Sequence, residues 1–544
     1  MVRGYNRKKL DYNEEAFSVG DKKKISGKLI GIIVAVVAVL GIGIGIFAFE
    51  GQNKSAFKAL KGTPEEIVTQ ALANTSAKSI EEQNMMNTKL GSNQVGKILD
   101  EKATEMDFKV VLKDISGVED AEILSAYIKD IGLSGNLQTT KDYNKFNGNL
   151  KLTQSGIELL GLSAYKEEDE FGISIPRILD APYAIKLSSW LDDYKNSALY
   201  NLLGDGAEIN EEDINQVTEV IEALGEYMTG AMNLSMNEEF MAQNEALQVQ
   251  YIKNANIEKN GTQKVTLTDG SEAEWNIYSG TLSGQEVVDL FNKEIELLMN
   301  LDFARNYFEV LAEQSGYTVD EMLEEMQATI SEDSMTTIDI DFLIDDTYFR
   351  GIKLGINKEE RLYDLTIQYT GAKYLLDGID VNLVGVAEEV SGSMDVVFKQ
   401  NLGDKADQYT QSLTFALGGD SIEAVTMNYN YKYDTKAEED NLEVDLNVAV
   451  DELDMINYNA TGTKTIENKE VTTNLTNAAL IVNDGTQDCT INFSLGYGIK
   501  GIEDKDIVIE KTGVKYLLEM TQEEILKTLE TIETNIQSFA YGLI

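Results

Sequence analysis

The chain has 544 residues, with 46 basic against 93 acidic side chains, no histidine, one cysteine and three prolines. A net charge of −47 repels nucleic acid and anionic lipid headgroups, which rules against DNA or RNA as a partner. The missing histidine removes the usual proton shuttle and the commonest transition-metal ligand, and the lone Cys489 excludes an internal disulfide or a thiolate cluster.

Residues 1–28 form a short tail with eight basic and four acidic side chains, including Lys22, Lys23, Lys24 and Lys28 next to an apolar run. That run, 29–49, opens on Leu29, closes on Phe49 and contains no charged group. At ~1.5 Å per residue it spans ~30 Å, the hydrocarbon thickness of a bilayer. It exceeds the h-region of a cleaved signal peptide, no A-x-A pattern follows, and no cysteine stands where a lipoprotein would need one. The sequence therefore predicts an uncleaved, single-pass transmembrane helix. The flanking lysines place the N-terminus in the cytoplasm and the remainder outside the cell. That remainder carries 38 basic and 89 acidic residues, a net charge of −51.

Residues 50–62 read as a linker. Thr63-Pro64-Glu65-Glu66 is a capping box with proline at the first helical position, and 78–102 reads as helical or loose. From Met106 the period changes to two, with strands expected at 108–112, 133–139, 146–152 and 183–187. Another covers 165–175, folded back on itself at the acidic stretch Glu167–Glu170. A helix is expected over 209–230. Asn260-Gly261 and Asp269-Gly270 predict two hairpin turns in a meander made of part of 236–257 with 263–267 and 273–282. Capping boxes at Ser283 and Thr318 open a helical layer over 284–331.

The clearest alternation lies in 335–500. Ile338, Ile340, Phe342 and Ile344 share one face; so do Tyr363, Leu365, Ile367 and Tyr369. The same holds for Val425, Met427, Tyr429, Tyr431 and Tyr433, for Leu442 to Val450, and for Ile491 to Ile499. One apolar and one wet face describe an antiparallel meander that must curl or stack. A last capping box at Thr521 lies in a helical run from about Gly513, and such a helix typically plugs the concave face of a curved sheet. The fold class is α+β: an N-terminal transmembrane helix, then large antiparallel curved sheets or half-barrels packed on helices. The predicted regions are 1–28 (tail), 29–49 (membrane span), 50–62 (linker), 63–334 (α+β) and 335–544 (β meander with a C-terminal helix).

Three patterns resemble catalytic signatures. Ser55-Ala56-Phe57-Lys58, Ser134-Gly135-Asn136 and Lys511-Thr512-Gly513 match in order the set of serine β-lactamases and penicillin-binding proteins. Ser55 lies six residues past the apolar run and Lys511 leads toward a helix, so the context is wrong for that chemistry, and no catalytic residue is assigned. Asp339, Asp341, Asp345 and Asp346 offer oxygens for Ca²⁺ at one strand end, without EF-hand spacing. No other cofactor is expected. Tyr429, Tyr431 and Tyr433 are the candidate ligand-facing residues, since three rings on one strand face can line a sugar or lipid groove or pack under a helix.

At 274–298 a strand ending in Tyr278-Ser279-Gly280-Thr281-Leu282 enters a capped helix. At 337–356, Ile338-Asp339-Ile340-Asp341-Phe342, the turn Asp345-Asp346 and Phe349-Arg350-Gly351-Ile352 make a strand, an acidic turn and a return strand. These segments resemble the membrane-anchored extracytoplasmic proteins and lipoproteins of Gram-positive bacteria, whose folds are similar to the half-open β-barrels of lipoprotein carriers. The resemblance implies a curved antiparallel sheet with helices in its concavity and a hydrophobic ligand there. The size and the anchor of this chain argue against a shuttle, and no functional residue carries over. The expectation is a non-enzymatic envelope protein that binds a hydrophobic or envelope-derived ligand, a wall polymer or a partner protein. A scaffolding role and, last, an envelope hydrolase are the alternatives.

Overall fold

A computed structural model describes residues 59–118, 121–203, 238–315, 318–321, 337–358, 360–387, 390–402, 408–419, 422–437, 440–483 and 485–543. The tail, the membrane span at 29–49, Ser55 and the helix expected at 209–230 lie outside the described residues. Among the described residues no helix is long and apolar enough to cross a membrane.

One 20-stranded sheet organises the fold. Six strands come first: β1 (Ala103–Ser116), β2 (Ile131–Thr139), β3 (Lys145–Gln154), β4 (Ile157–Glu167), β5 (Glu170–Ser174) and β6 (Tyr183–Lys186). The hairpin β7 (Glu258–Thr266) and β8 (Glu272–Ser283) follows. The meander then runs through β9 (Thr337–Ile344), β10 (Phe349–Lys358), β11 (Glu360–Tyr369), β12 (Gly378–Ala387), β13 (Val390–Gln400) and β14 (Gln408–Gly419). It continues through β15 (Ile422–Asp434), β16 (Leu442–Val450), β17 (Leu453–Glu467), β18 (Glu470–Asn483) and β19 (Asp488–Ile502), and β20 (Lys515–Tyr516) closes the set.

The pairing runs from β7 in chain order to β19, and there it joins β1: Ala103 faces Ile502, Val110 faces Leu495 and Ser116 faces Thr490. From β1 it continues through β2 to β6 and ends on β20. Among the described residues only β6 and β20 pair in parallel. The sheet thus crosses residue 334 through the β8–β9 pair and again through the β1–β19 seam.

Because side chains alternate along each strand, the register puts the apolar sets of adjacent strands in common rows. One row reads Tyr278, Phe342, Ile352 and Ile367 across β8 to β11. The opposite face carries the polar partners, such as Asp339, Asp341 and Lys353.

The described helices cover part of the apolar face. At the β8–β12 end, α1 (Pro64–Leu90) starts at Thr63, whose side chain accepts from Glu66 N while the Glu66 carboxylate accepts from Thr63 N at 2.9 Å. Its small, tightly spaced buried residues Val68, Ala71, Thr75, Ser76 and Ser79 let it sit close on β10, where Thr75 Oγ1 donates to Phe349 O at 3.0 Å. Two turns later the fully buried Glu82 accepts from Leu375 N (3.1 Å) and Leu376 N (2.8 Å) of the short 3₁₀ turn before β12. With α6 (Glu238–Asn254) and α7 (Gly284–Met299), α1 encloses the main core: Leu247, Tyr251, Leu290, Ile340, Phe342, Phe349 and Ile352. Among the described residues the further helices are α2 (Ser92–Glu101), α3 (Ala121–Ile128), α4 (Trp190–Asn196), α5 (Ala198–Leu203), α8 (Asp302–Ser315) and α9 (Gln522–Leu543).

Several local expectations change. The part of the meander expected in 236–257 is the helix α6, because Phe240, Leu247, Tyr251, Ile252 and Ala255 bury one helical face rather than alternating. Asn260-Gly261 is not a hairpin turn. It is a bulge within β7, where the register shifts between Lys259 and Thr262 and Gly261 takes φ +94°. Asp269-Gly270 does make the turn, with Gly270 N donating to Leu267 O at 2.9 Å. The C-terminal helix starts at Gln522 rather than near Gly513, because Lys515-Tyr516 is taken up as β20. It does not plug the apolar face of the meander. It packs beside β6, where Ile525 and Met520 meet Tyr183 and Asn535 Nδ2 donates to Ile178 O at 3.0 Å.

Candidate ligand groove

Away from the main core, α2 packs on β18, β19 and β1 at one edge of the apolar face. That face carries a groove of about 700 Å³ on β18, β19 and β1 to β4, lined by Met106, Phe108, Leu137, Leu150, Leu162 and Tyr497. Val95 of α2 forms one rim, and α2 is held there by Ile98, which is buried against the β19–β1 end.

The register explains why these residues meet. Tyr497 is opposite Phe108, Phe108 opposite Gly135, Gly135 opposite Leu150 and Leu150 opposite Leu162. A parallel row runs Val471, Ile499, Met106, Leu137, Gly148 and Ala164. The glycines make the floor. A Cβ on Gly135 would strike the Phe108 ring at 2.2 Å, so the absent side chain is what lets that ring lie down. Phe108 stays 38% exposed, Leu150 37% and Tyr497 51%. Large apolar side chains aligned and left wet in a concavity are the usual lining of a hydrophobic-ligand site.

The three candidate tyrosines stand on the same face of β15, facing Leu446, Val444 and Leu442 of β16. They differ in their surroundings. Tyr433 is buried, and its hydroxyl donates to Lys464 O at 3.4 Å. Tyr431 packs edge-on to Tyr409 with ring centroids 6.0 Å apart, and its hydroxyl oxygen accepts from Lys464 Nζ at 3.1 Å. Tyr429 is half-buried between Leu413 and Leu446. Burial raises the pKa of all three phenols, so they stay neutral donors at physiological pH.

Lys464 of β17 was not singled out by the sequence. Its signal was a lysine at the apolar parity of a strand, two residues past Gly462 and four past Ala460. The ammonium lies over the rings of Tyr431 (5.5 Å to the centroid) and Tyr433 (5.7 Å), and burial lowers its pKa.

The opposite face holds a second concavity of about 480 Å³, lined by Lys113, Asp114, Asp445, Asn459, Asn477 and Asn492. Its polar groups are tied to one another: Asn492 Nδ2 donates to Asp114 at 2.7 Å and Lys113 Nζ to Asn477 Oδ1 at 3.3 Å.

The other sequence candidates do not converge. Ser134 is in β2, whereas Lys511 Nζ pairs with Glu167 at 2.8 Å and Glu170 at 3.1 Å. At the acidic strand end, Asp345 accepts from Thr347 N, Tyr348 N and Arg350 Nε at 2.6–2.7 Å, and Asp341 accepts from Ser279 Oγ at 2.6 Å. Among the described residues no three His, Cys, Asp or Glu side chains gather as a metal site requires. Compared with protein-family models and with curated protein sequences, the chain shows no match.

Proposed function

We propose that this chain is a single-pass, membrane-anchored extracytoplasmic protein that performs no catalysis and holds a hydrophobic molecule of the cell envelope on its curved sheet. The observation that carries the reading is the row of Tyr497, Phe108, Leu150 and Leu162, apolar side chains left more than a third exposed around a groove of about 700 Å³. Exposing such a contiguous surface is unfavourable in water at roughly 25 cal/mol per Å², and an apolar ligand removes that cost. The anchor at 29–49 would keep the groove at the outer membrane surface, where such ligands are met.

Gly148 gives a clean test. A Cβ there meets nothing closer than Leu137 Cδ1 at 3.5 Å, so a larger side chain fits the backbone and projects into the groove. The full chain in phosphatidylcholine nanodiscs is exposed to a neutral diazirine-bearing hexadecanol, irradiated and mapped by peptide mass spectrometry. Labels are expected on β18, β19 and β1 to β3, and Gly148→Phe should reduce them at least fivefold with little change in melting temperature. Labels scattered over the surface, or indifferent to Gly148→Phe, would sink the proposal.

A further inference from the structure

We infer that the ligand is a long-chain fatty-acid anion, with its carboxylate on Lys464 and Thr473 and its tail along the row from Tyr497 to Leu150. The inference rests on the groove being a hydrophobic-ligand site and adds the chemistry of the head.

Three observations place an anionic head at that end. First, Lys464 is in register with the groove: it faces Thr473 of β18, Thr473 faces Tyr497 of β19, and Tyr497 faces Phe108. Second, the ammonium has no carboxylate partner among the described residues. Its Nζ donates only to the Tyr431 hydroxyl, with two tyrosine rings alongside. A half-buried cation without a counterion is costly, and in a chain with 93 acidic residues a protein carboxylate was the readiest remedy. Third, Thr473 is 3% exposed and its Oγ1 is buried with no hydrogen-bond partner. An unmet buried hydroxyl is destabilising, and a carboxylate oxygen between Lys464 and Thr473 would accept from both groups.

The scale fits a chain of about sixteen carbons reaching Leu150: from Thr473 on β18 to Leu150 on β3 there are four strand spacings, roughly 19 Å at ~4.8 Å each. Burial lowers the pKa of Lys464, and an anion beside it restores the ammonium.

The test uses the full chain in phosphatidylcholine nanodiscs at pH 7.5, labelled with a diazirine-bearing hexadecanoate. Palmitate, hexadecanol and palmitoyl lysophosphatidylglycerol are the competitors. Palmitate should compete at least tenfold better than hexadecanol and better than the lysophospholipid. Lys464→Met should bring the palmitate-to-hexadecanol ratio to near one while labelling by the neutral hexadecanol probe persists. Thr473→Val should lower the ratio about threefold, and it decides the matter if Lys464→Met fails a protease-resistance check of folding. Equal competition by palmitate and hexadecanol in the wild type, or a ratio that survives both substitutions, overturns the anionic head and leaves the apolar groove standing. Stronger competition by the lysophospholipid overturns the fatty acid as occupant. Loss of groove labelling by the acid and neutral probes alike overturns the hydrophobic-ligand reading itself.

Discussion

Glu294 is a carboxylate whose folded environment favours the neutral form. It lies on α7 facing α6, where Gln248 Nε2 donates to it at 3.2 Å, and burial pushes its pKa up to about 7. In an unfolded chain the same group titrates near ~4.3. The folded state therefore binds the proton more tightly, and this contribution to stability is complete below about pH 4.3 and lost as pH rises through about 7. Amide exchange over α6, corrected for intrinsic rates, should be slower at pH 5 than at pH 8. Glu294→Gln should flatten that difference; equal protection at both pH values in the wild type would show that the carboxyl is not held neutral. Lys464 presents the opposite case, since burial lowers its pKa and the ammonium is the form the fold disfavours. The two groups sit in different places, one in the helix-covered core region and one on β17, so their titrations should act on different segments.

At the scale of elements, the strands β9 and β10 depend on one side chain more than on their turn. Arg350 donates through Nε to Asp345 Oδ2 at 2.6 Å and through Nη1 to Gly371 O at 2.8 Å, and its guanidinium stands 5.9 Å from the centre of the Trp275 ring. It thus ties the β9–β10 turn to the loop after β11 and to β8. Arg350→Ala leaves Asp345 without its cation in a largely buried site, at a cost of about 3–5 kcal/mol. Arg350→Lys should lose less, because a lysine keeps the charge but not the planar fork. Urea midpoints of the three proteins check the order, and a midpoint unchanged in the alanine variant would remove Arg350 from this role. The elements themselves were largely legible, for a physical reason: a strand with one wet face writes a period of two into the sequence. Ile338 to Ile344, Val425 to Tyr433 and Ile491 to Ile499 were all readable that way, as were the capping boxes at Thr63, Ser283 and Thr521. Short apolar runs were not, because Leu247, Tyr251 and Ile252 fit either period until their neighbours are known. The groove was illegible for a different reason. Phe108, Leu137, Leu150 and Tyr497 meet only through the β1–β19 seam, and pairing between strands nearly 400 residues apart leaves no local trace.

At the scale of the whole molecule, that seam is where the N-terminal strands acquire their only sheet contact with the meander among the described residues. Each strand touches chiefly its two neighbours, so the sheet should behave as a quasi-one-dimensional array in which a local defect spreads only so far. The main core under α1, α6 and α7 runs from β8 to β14, away from β1 along the sheet. The seam should also close late in folding, since Val110 must find Leu495 across most of the chain, and distant pairings are slow. Lys109 sits mid-seam, opposite Gly496 on one side and Ser134 on the other, with its side chain exposed on the wet face. Lys109→Pro therefore changes little besides the backbone, and proline in a central strand breaks the ladder. Hydrogen exchange should then rise at least tenfold over β1, β2 and β19 while β9 to β11 keep their wild-type protection. Groove labelling should fall in the same variant, since the row from Tyr497 to Leu162 exists only while the seam holds. A uniform loss of protection across all strands would mean that the sheet unfolds as one cooperative unit; unchanged protection at β19 would mean that the seam carries little of the stability of its own strands.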